Sequence, residues 1–312
     1  MRPPGWWHSD GVVPRLLAPA AALVAAATAR RVARRGWRAP VPVICVGNAS
    51  VGGTGKTPVA LDIAERLRAR GRQPAFLSRG HGGAAQQALR VDPLRHRAAE
   101  VGDEPLLLAA CAPCWVGADR AASARAAVAA GADILVMDDG LQNPGLQRDV
   151  SLLVVDGGAG FGNRRVLPAG PLREPLAAAV ARAQAAVVIG EDRAGAAALL
   201  APLPVLRARL VCTAPAGRVL AFAGIGRPEK FFMALREAGA QTLETHGFAD
   251  HHPYRPAEFA ALLARAAALG VPAVTTAKDA ARLDPAQRAA VLVAPARLLW
   301  EDAAALEALL PC

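Results

Sequence analysis

Three short stretches carry residue types at spacings that can do chemistry. The first is Ser50-Val51-Gly52-Gly53-Thr54-Gly55-Lys56-Thr57, placed between the mostly apolar run 41–46 and an amphipathic stretch that reaches Leu67. A glycine-rich turn between a strand and a helix gathers backbone N–H groups around an anion, and the helix N-terminus adds partial positive charge. A lysine at its end reaches the terminal phosphates of a nucleotide, and the next hydroxyl serves the accompanying magnesium ion. Lys56 and Thr57 are those residues here. The usual pattern has glycine five residues before the Gly-Lys pair; this chain has Ser50, and Gly52 and Gly53 keep the loop flexible, so it reads as a variant loop. Only three of the 36 basic residues are lysines, Lys56, Lys230 and Lys278. A compact ammonium on a flexible stem is not replaceable by a guanidinium, so a lysine kept at position 56 favours phosphate binding over a chance βα turn.

The second stretch, ILVMDDGLQN from Ile134, is an apolar strand ending in Asp138 and Asp139. Beside a phosphate-binding loop such a strand holds the carboxylate that meets magnesium, directly or through water. Adjacent carboxylates leave an extended chain in different directions, so one of the two faces the metal, and spacing does not say which. The third is split. EVGDEP (100–105) offers Asp103 and Glu104 before a helix that Pro105 can open, and these types serve a helix cap as readily as an active site. FADHHPYRP, from Phe248, gathers Asp250, His251, His252 and the chain's one tyrosine, Tyr254. Cys111 and Cys114 have the spacing of a redox pair or half a zinc site, but no second pair matches them. An odd count of five cysteines argues for packing rather than a disulfide framework.

Elements must position these groups. Strands are expected at 75–78, 133–137, 151–155 and 186–189, and helices at 105–112 and 121–130. The alternation implies an α/β fold with a largely parallel, doubly wound sheet and its ligand at the strand C-termini. RVLAFAGIGRPEKFFMAL, from Arg218, opens a second strand, glycine turn and helix. The expected organisation is an N-terminal helical segment (1–38), a phosphate-loop domain (39–215) and a smaller C-terminal α/β domain (216–312). A length of 312 residues suits about two domains of roughly 100–200 residues each.

The N-terminal segment differs from the rest. Fourteen uncharged residues, 16–29, precede Arg30, Arg31, Arg34, Arg35 and Arg38. A helix from Pro19 to Gly36 would be roughly 25 Å long, short of a bilayer core of about 30 Å. Its charge follows the apolar run, whereas a secretory signal carries it before. At 100° per residue the arginines 30, 31, 34 and 35 share a side with Leu16, Leu17, Leu23 and Val24. That stripe suits a helix lying obliquely in one leaflet with arginines at the headgroups. The formal charge of +10 fits nucleic acid, an anionic membrane surface or anionic substrates, and charge alone does not choose among them. Without an interleaved aromatic and basic stretch, nucleic acid is not expected as a partner.

Taken together, GNASVGGTGKTP, SRGHGG (78–83), VGDEP, MDDGLQ, LPAGPLREP (167–175), FAGIGRPEKFF (222–232), FADHHPY and TTAKDAARL (275–283) resemble, in order, the signature segments of the tetraacyldisaccharide 4'-kinase family. The resemblance implies an ATP- and Mg2+-dependent kinase of lipid A biosynthesis at the cytoplasmic face of the bacterial inner membrane. Its acceptor would be the 4'-hydroxyl of a tetraacylated glucosamine disaccharide 1-phosphate. It implies that residues 50–57 bind nucleotide, with Lys56 on the β- and γ-phosphates. Thr57 with Asp138 or Asp139 would serve magnesium, and Asp103 with His251 would meet the acceptor hydroxyl. His81 stands where the family often has tyrosine. No physical role follows from the sequence for Lys278 or Asp279. Two other classes share the first domain: a dethiobiotin-synthetase-like enzyme with a soluble substrate, which has no need of the N-terminal helix, and a DNA-partitioning ATPase, which should hydrolyse ATP slowly and respond to DNA.

Overall fold

The protein is described here from a computed structural model covering residues 4–311; the first three residues of the expected N-terminal segment and Cys312 lie outside the described residues. A 3-10 turn (Gly5–His8) precedes α1 (Val12–Leu16) and α2 (Ala18–Val32). The chain continues through β1 (Val43–Gly47), α3 (Lys56–Ala69), β2 (Pro74–Ser78), β3 (Leu89–Arg90), α4 (Ala98–Val101), α5 (Asp103–Ala109), β4 (Cys114–Val116), α6 (Arg120–Ala129), β5 (Ile134–Asp138), β6 (Val150–Asp156), α7 (Leu176–Val180), β7 (Ala185–Ile189) and β8 (Val205–Cys212). A second series comprises β9 (Arg218–Ala223), α8 (Pro228–Glu237), β10 (Gln241–Gly247), α9 (Pro256–Ala268), β11 (Ala273–Thr276), α10 (Ala277–Ala280), α11 (Pro285–Ala289) and β12 (Leu292–Ala294), followed by β13 (Ala296–Trp300) and α12 (Ala303–Leu309).

The first series builds a sheet in the order β13-β8-β7-β6-β1-β5-β2-β4-β3, parallel except for its edge strands β3 and β13. Its inner strands are covered on both faces, which is why they read as continuous apolar runs. Alternate residues of β1 serve opposite cores. Ile44 and Val46 meet Val59, Ile63 and Leu67 of α3, while Val43 and Cys45 join Leu135, Trp115 and the alanines 124 and 127. The second series forms a four-stranded parallel sheet, β10-β9-β11-β12. There α8 covers one face with Phe231, Phe232 and Leu235, and α9 covers the other with Phe259 and Leu262.

Several features depart from the sequence-based expectation. After β12 the chain returns to the large sheet: β13 pairs antiparallel with β8, and Trp300, Leu306 and Leu310 enter the same core as α3. Residues 216–312 therefore contribute to both sheets, and we propose 218–294 as the smaller unit. A long-range edge pairing leaves no local mark in sequence, so the return was not legible. In addition, α5 begins at Asp103, two residues earlier than expected, with Pro105 inside its first turn where no intrahelical N–H bond is lost.

α2 ends at Val32, so Arg34 and Arg35 lie in the turn beyond it. Its protein side is Ala21 and Thr28, flanked by half-buried Leu17, Val24 and Ala25, while Leu16 and Leu23 are 74% and 73% exposed. The expected stripe thus divides, with Leu17 and Val24 against the protein and Leu16 and Leu23 toward solvent. Among the described residues no helix is long and apolar enough to cross a membrane.

Candidate active site

β1 lies where the strand order reverses: the chain builds β2, β4 and β5 on one side of it and β6, β7 and β8 on the other. Ligands of doubly wound sheets bind beyond the strand C-termini at such a point, and residues 50–57 occupy it. Gly52 and Gly55 have φ of 112° and 89°, a region open to glycine, and α3 starts directly at Lys56. Buried Asn48 shapes the loop by donating from Nδ2 to Thr54 Oγ1 (3.2 Å). The Val51 N–H donates to the Pro171 carbonyl (2.9 Å). Gln142 donates to the Asn48 carbonyl (2.9 Å) and to Glu174 (2.7 Å), which Arg182 holds from its other oxygen (2.5 Å).

Asp138 and Asp139 close β5 in contrasting settings. Asp139 has φ of 56°, and its Oδ1 receives Arg173 Nη1 at 2.8 Å and faces Lys56 Nζ at 3.7 Å. Burial opposes its ionisation, but Lys56 and Arg173 outweigh burial and hold its carboxyl below the usual range. Asp138 is buried, and its Oδ2 accepts from Thr57 Oγ1 (3.1 Å). Its Oδ1 has no hydrogen-bond partner. Burial pushes its carboxyl up to about 6, although Lys56 pulls the other way. A buried carboxylate oxygen without a partner is costly unless a cation meets it. Asp138 and Thr57 therefore fit a hard, oxygen-seeking cation, whereas Asp139 already has two cationic neighbours.

Asp103 and His251, 148 residues apart, meet between the two sheets with His251 Nδ1 2.8 Å from Asp103 Oδ2. Just before Asp103, Gly102 has φ of 90° and lets the chain pass close to the 80–81 backbone, where a Cβ would lie 2.8 Å from the His81 carbonyl oxygen. His251 itself adopts φ of 60°, a conformation histidine tolerates better than most residues. Asp103 is buried, with its side chain 3% exposed against 40% for His251. Burial disfavours its charge, but His251, Lys278 and the Glu104 N–H overcome this and keep it ionised well below the ordinary carboxylate range. The hydrogen bond to Asp103 raises His251 above the usual histidine value, against burial and the Lys278 ammonium.

Asp103, Glu104 and His251 also bring potential ligand atoms within 4.8 Å of one another. A cation is already there: Lys278 Nζ lies 2.8 Å from Glu104 Oε1 and 3.9 Å from Asp103 Oδ2. His252 turns away, bonding Glu258 (2.6 Å) and stacking on Phe248 with ring centroids 4.7 Å apart. Cys111 and Cys114 are free thiols, the latter buried in β4, in keeping with a packing role.

Site residues that sequence reasoning did not single out are Asn48, Arg120, Gln142, Arg173, Glu174, Asp156 and Arg282. Most lie inside motif segments, and the available signal was a charged or amide side chain flanked by residues destined for burial. Arg120, 3% exposed at the start of α6, has its pKa pushed down to about 10 by burial and by Arg79, with Asp138 and Asp139 opposing. Asp156 ends β6 and binds Arg227 (3.1 Å) and Lys230 (2.5 Å) from the smaller unit. Each of the chain's three lysines thus faces a carboxylate at this end of the large sheet.

A phosphate loop at the strand-order reversal, a buried aspartate beside it with one carboxylate oxygen unpaired and an Asp–His pair contributed across two sheets define a P-loop phosphotransferase. The profile of the Tetraacyldisaccharide-1-P 4'-kinase family matches residues 13–311. The chain is 60% identical over 318 residues to the tetraacyldisaccharide 4'-kinase of Gluconacetobacter diazotrophicus, covering 99% of this chain and 97% of that one. It is 56% identical over 323 residues to that of Rhodospirillum centenum, covering 99% and 96%. The fold resembles the crystal structure of LpxK from Aquifex aeolicus in complex with ATP, with a TM-score of 0.76 at 25% identity over 96% of this chain and 98% of that one. The chain belongs to the tetraacyldisaccharide 4'-kinase family and is a kinase of that class.

Proposed function

We propose that the chain transfers the γ-phosphoryl group of ATP to the 4'-hydroxyl of a tetraacylated glucosamine disaccharide 1-phosphate at the cytoplasmic leaflet of the inner membrane. The observation that carries this reading is the Asp103–His251 pair, whose aspartate opens α5, the helix that packs on α3 with Lys56 at its start. The loop N–H groups and the α3 N-terminus would receive the β- and γ-phosphates, with Lys56 leaving Asp139 to reach them. Thr57 Oγ1 and Asp138 Oδ1 would hold Mg2+, which when bound neutralises charge on the β- and γ-oxygens.

Asp103 is too buried to reach an acceptor, so the exposed base atom of the pair is His251 Nε2. With Nδ1–H held by Asp103, Nε2 is the bare nitrogen. The acceptor O–H gives its proton to Nε2 as its oxygen bonds to the γ-phosphorus, the bond to the β–γ bridging oxygen breaks, and ADP leaves. An acylated acceptor stays in the bilayer. The exposed Leu16 and Leu23 and the arginines at 30, 31, 34 and 35 give the N-terminal arm the character of a surface anchor.

Incubation with γ-labelled ATP and the disaccharide lipid tests the proposal. The expected product carries one further phosphate, on the non-reducing sugar. Absence of transfer with protein that binds ATP, or stimulation of ATP hydrolysis by DNA instead, would refute it.

A further inference from the structure

We infer that Lys278 and Arg282, four residues apart in the segment 276–283, are positioning residues that set the charge of the Asp103–His251 pair. The inference rests on the function proposed above. The segment is anchored before it reaches the pair. Asp279 is fully buried; it accepts from the Gly224 N–H (2.9 Å), the Tyr254 hydroxyl (2.7 Å) and the Thr276 hydroxyl (2.6 Å), and it pairs with Arg282. From that anchor Arg282 donates Nη1 to Asp103 Oδ2 (2.8 Å) and Nη2 to the Gly224 carbonyl (2.8 Å). Asp103 Oδ2 is thereby shared between a guanidinium from one side and His251 Nδ1 from the other.

Lys278 works on the opposite edge of the imidazole. Its Nζ lies 3.5 Å from His251 Nε2 and 3.4 Å from Asp250 Oδ1, besides its contacts with Glu104 and Asp103. An ordinary surface ion pair does not account for an ammonium placed on the proton-accepting nitrogen with its side chain 21% exposed. The charged groups around His251 are Asp103 and Glu104 from α5, Asp250 from its own loop, and Lys278 and Arg282 from the anchored segment. Three carboxylates favour the imidazolium, which cannot accept a proton, and the two cations counter them. Arginine stays charged throughout, so Asp103 remains an acceptor and Nδ1 keeps the hydrogen that leaves Nε2 bare.

The test is a pH titration of histidine signals in the full-length chain labelled with 15N-histidine, without nucleotide or lipid, with His251 assigned by its loss in His251→Gln. Lys278→Met should raise the His251 pKa by about one pH unit, the size expected when a like charge within hydrogen-bonding range is removed; Arg282→Gln should raise it by less, since its guanidinium meets Asp103 and not the ring; and Lys278→Arg should restore the value lost in Lys278→Met. In turnover, the acid limb of kcat/KM should move up by the same amount, with kcat reduced about tenfold at neutral pH, recovered at higher pH, and KM for ATP unchanged. An unchanged His251 titration in Lys278→Met, or a kcat loss equal at every pH, overturns the inference. Should Arg282→Gln not fold, Lys278→Met decides alone, because its side chain is the less buried of the two. Failure of the wild-type chain to phosphorylate the disaccharide would remove the proposed function but leave the His251 titration to be read by itself.

Discussion

At the scale of single residues the site works by giving neighbours unlike surroundings. Asp138 keeps a partnerless buried oxygen while Asp139 is paired with Lys56 and Arg173. Asp138→Asn should therefore abolish Mg2+-dependent turnover, and Asp139→Asn should retain Mg2+ dependence while weakening the hold on Lys56; a Mg2+ titration of each variant's rate checks this. Lys56→Ala should lower kcat by about 10²–10³-fold with the fold intact, because it removes the cation proposed to meet the developing charge. Near-normal turnover in a folded Lys56→Ala protein would contradict the loop's role. Asp103→Ala and His251→Ala should each lower kcat far more than they raise KM for ATP. The double variant should lose little beyond the worse single one, since two groups proposed to move one proton would act as a unit. His252→Ala should be milder, as its ring is bonded to Glu258. Multiplying losses, or a more damaging His252 variant, would disprove the pairing. The pH dependence has a definite sign. His251 is raised by Asp103, so below that raised value Nε2 carries a proton, and activity should climb as pH rises through a pKa above the ordinary histidine value of about 6.5.

At the scale of elements, α3 carries the loop at its start and is braced along its length by the returning C-terminal segment. Asp62 accepts from Trp300 Nε1 (2.9 Å) and from Arg66 Nε (2.7 Å), and Arg66 and Arg70 both pair with Glu307 on α12. Trp300→Ala removes a buried indole, a loss of about 3–5 kcal/mol for a large aromatic in a core. That predicts a Tm drop of roughly 6–20 °C at about 2–4 °C per kcal/mol for a large domain, measured by scanning calorimetry. An unchanged Tm would mean that β13 and α12 do not belong to the core of the large sheet. The same geometry explains why the loop is held from two directions: Asn48 and Gln142 secure its entry, and the C-terminal segment secures its exit helix.

At the scale of the whole molecule, the N-terminal arm presents an apolar face to solvent beside a cluster of arginines. Exposed side chains include Trp6, Val12, Val13, Leu16 and Leu23, with Arg30, Arg31, Arg34 and Arg35 beyond them. Burying a leucine is worth about 1.5–3 kcal/mol, so Leu16→Glu with Leu23→Glu should reduce partition onto anionic vesicles by roughly a hundredfold or more. Added salt should weaken the remaining attraction, since a Debye length falls to about 3 Å at 1 M. Sedimentation of the double variant equal to that of the original chain would mean that the N-terminal arm is not the proposed membrane anchor. Between the two units, Asp156 with Arg227 and Lys230, and Asp103 with His251 and Arg282, bind the smaller sheet to the larger one.

The sequence by itself determined what depends on nearest neighbours along the chain. The strand–loop–helix context of residues 50–57, the apolar strand ending in two aspartates and the alternation that builds a parallel sheet are all local patterns, and each is present in the structure, with element ends within about three residues of those expected. The stripe of the N-terminal helix was legible in period but not in side: Leu17 and Val24 pack on the protein because the surface they meet is made by distant residues. Only the tertiary structure decided which aspartate of 138 and 139 keeps a buried oxygen unpaired, because the guanidinium that pairs with Asp139 comes from Arg173, 34 residues away. It likewise decided that the last strand closes the first sheet, and that Lys278 and Arg282 face the Asp103–His251 pair rather than solvent. Charge pairing and edge pairing act through space over separations that carry no periodic trace in the chain, and they take effect once the apolar cores have brought the two sheets together.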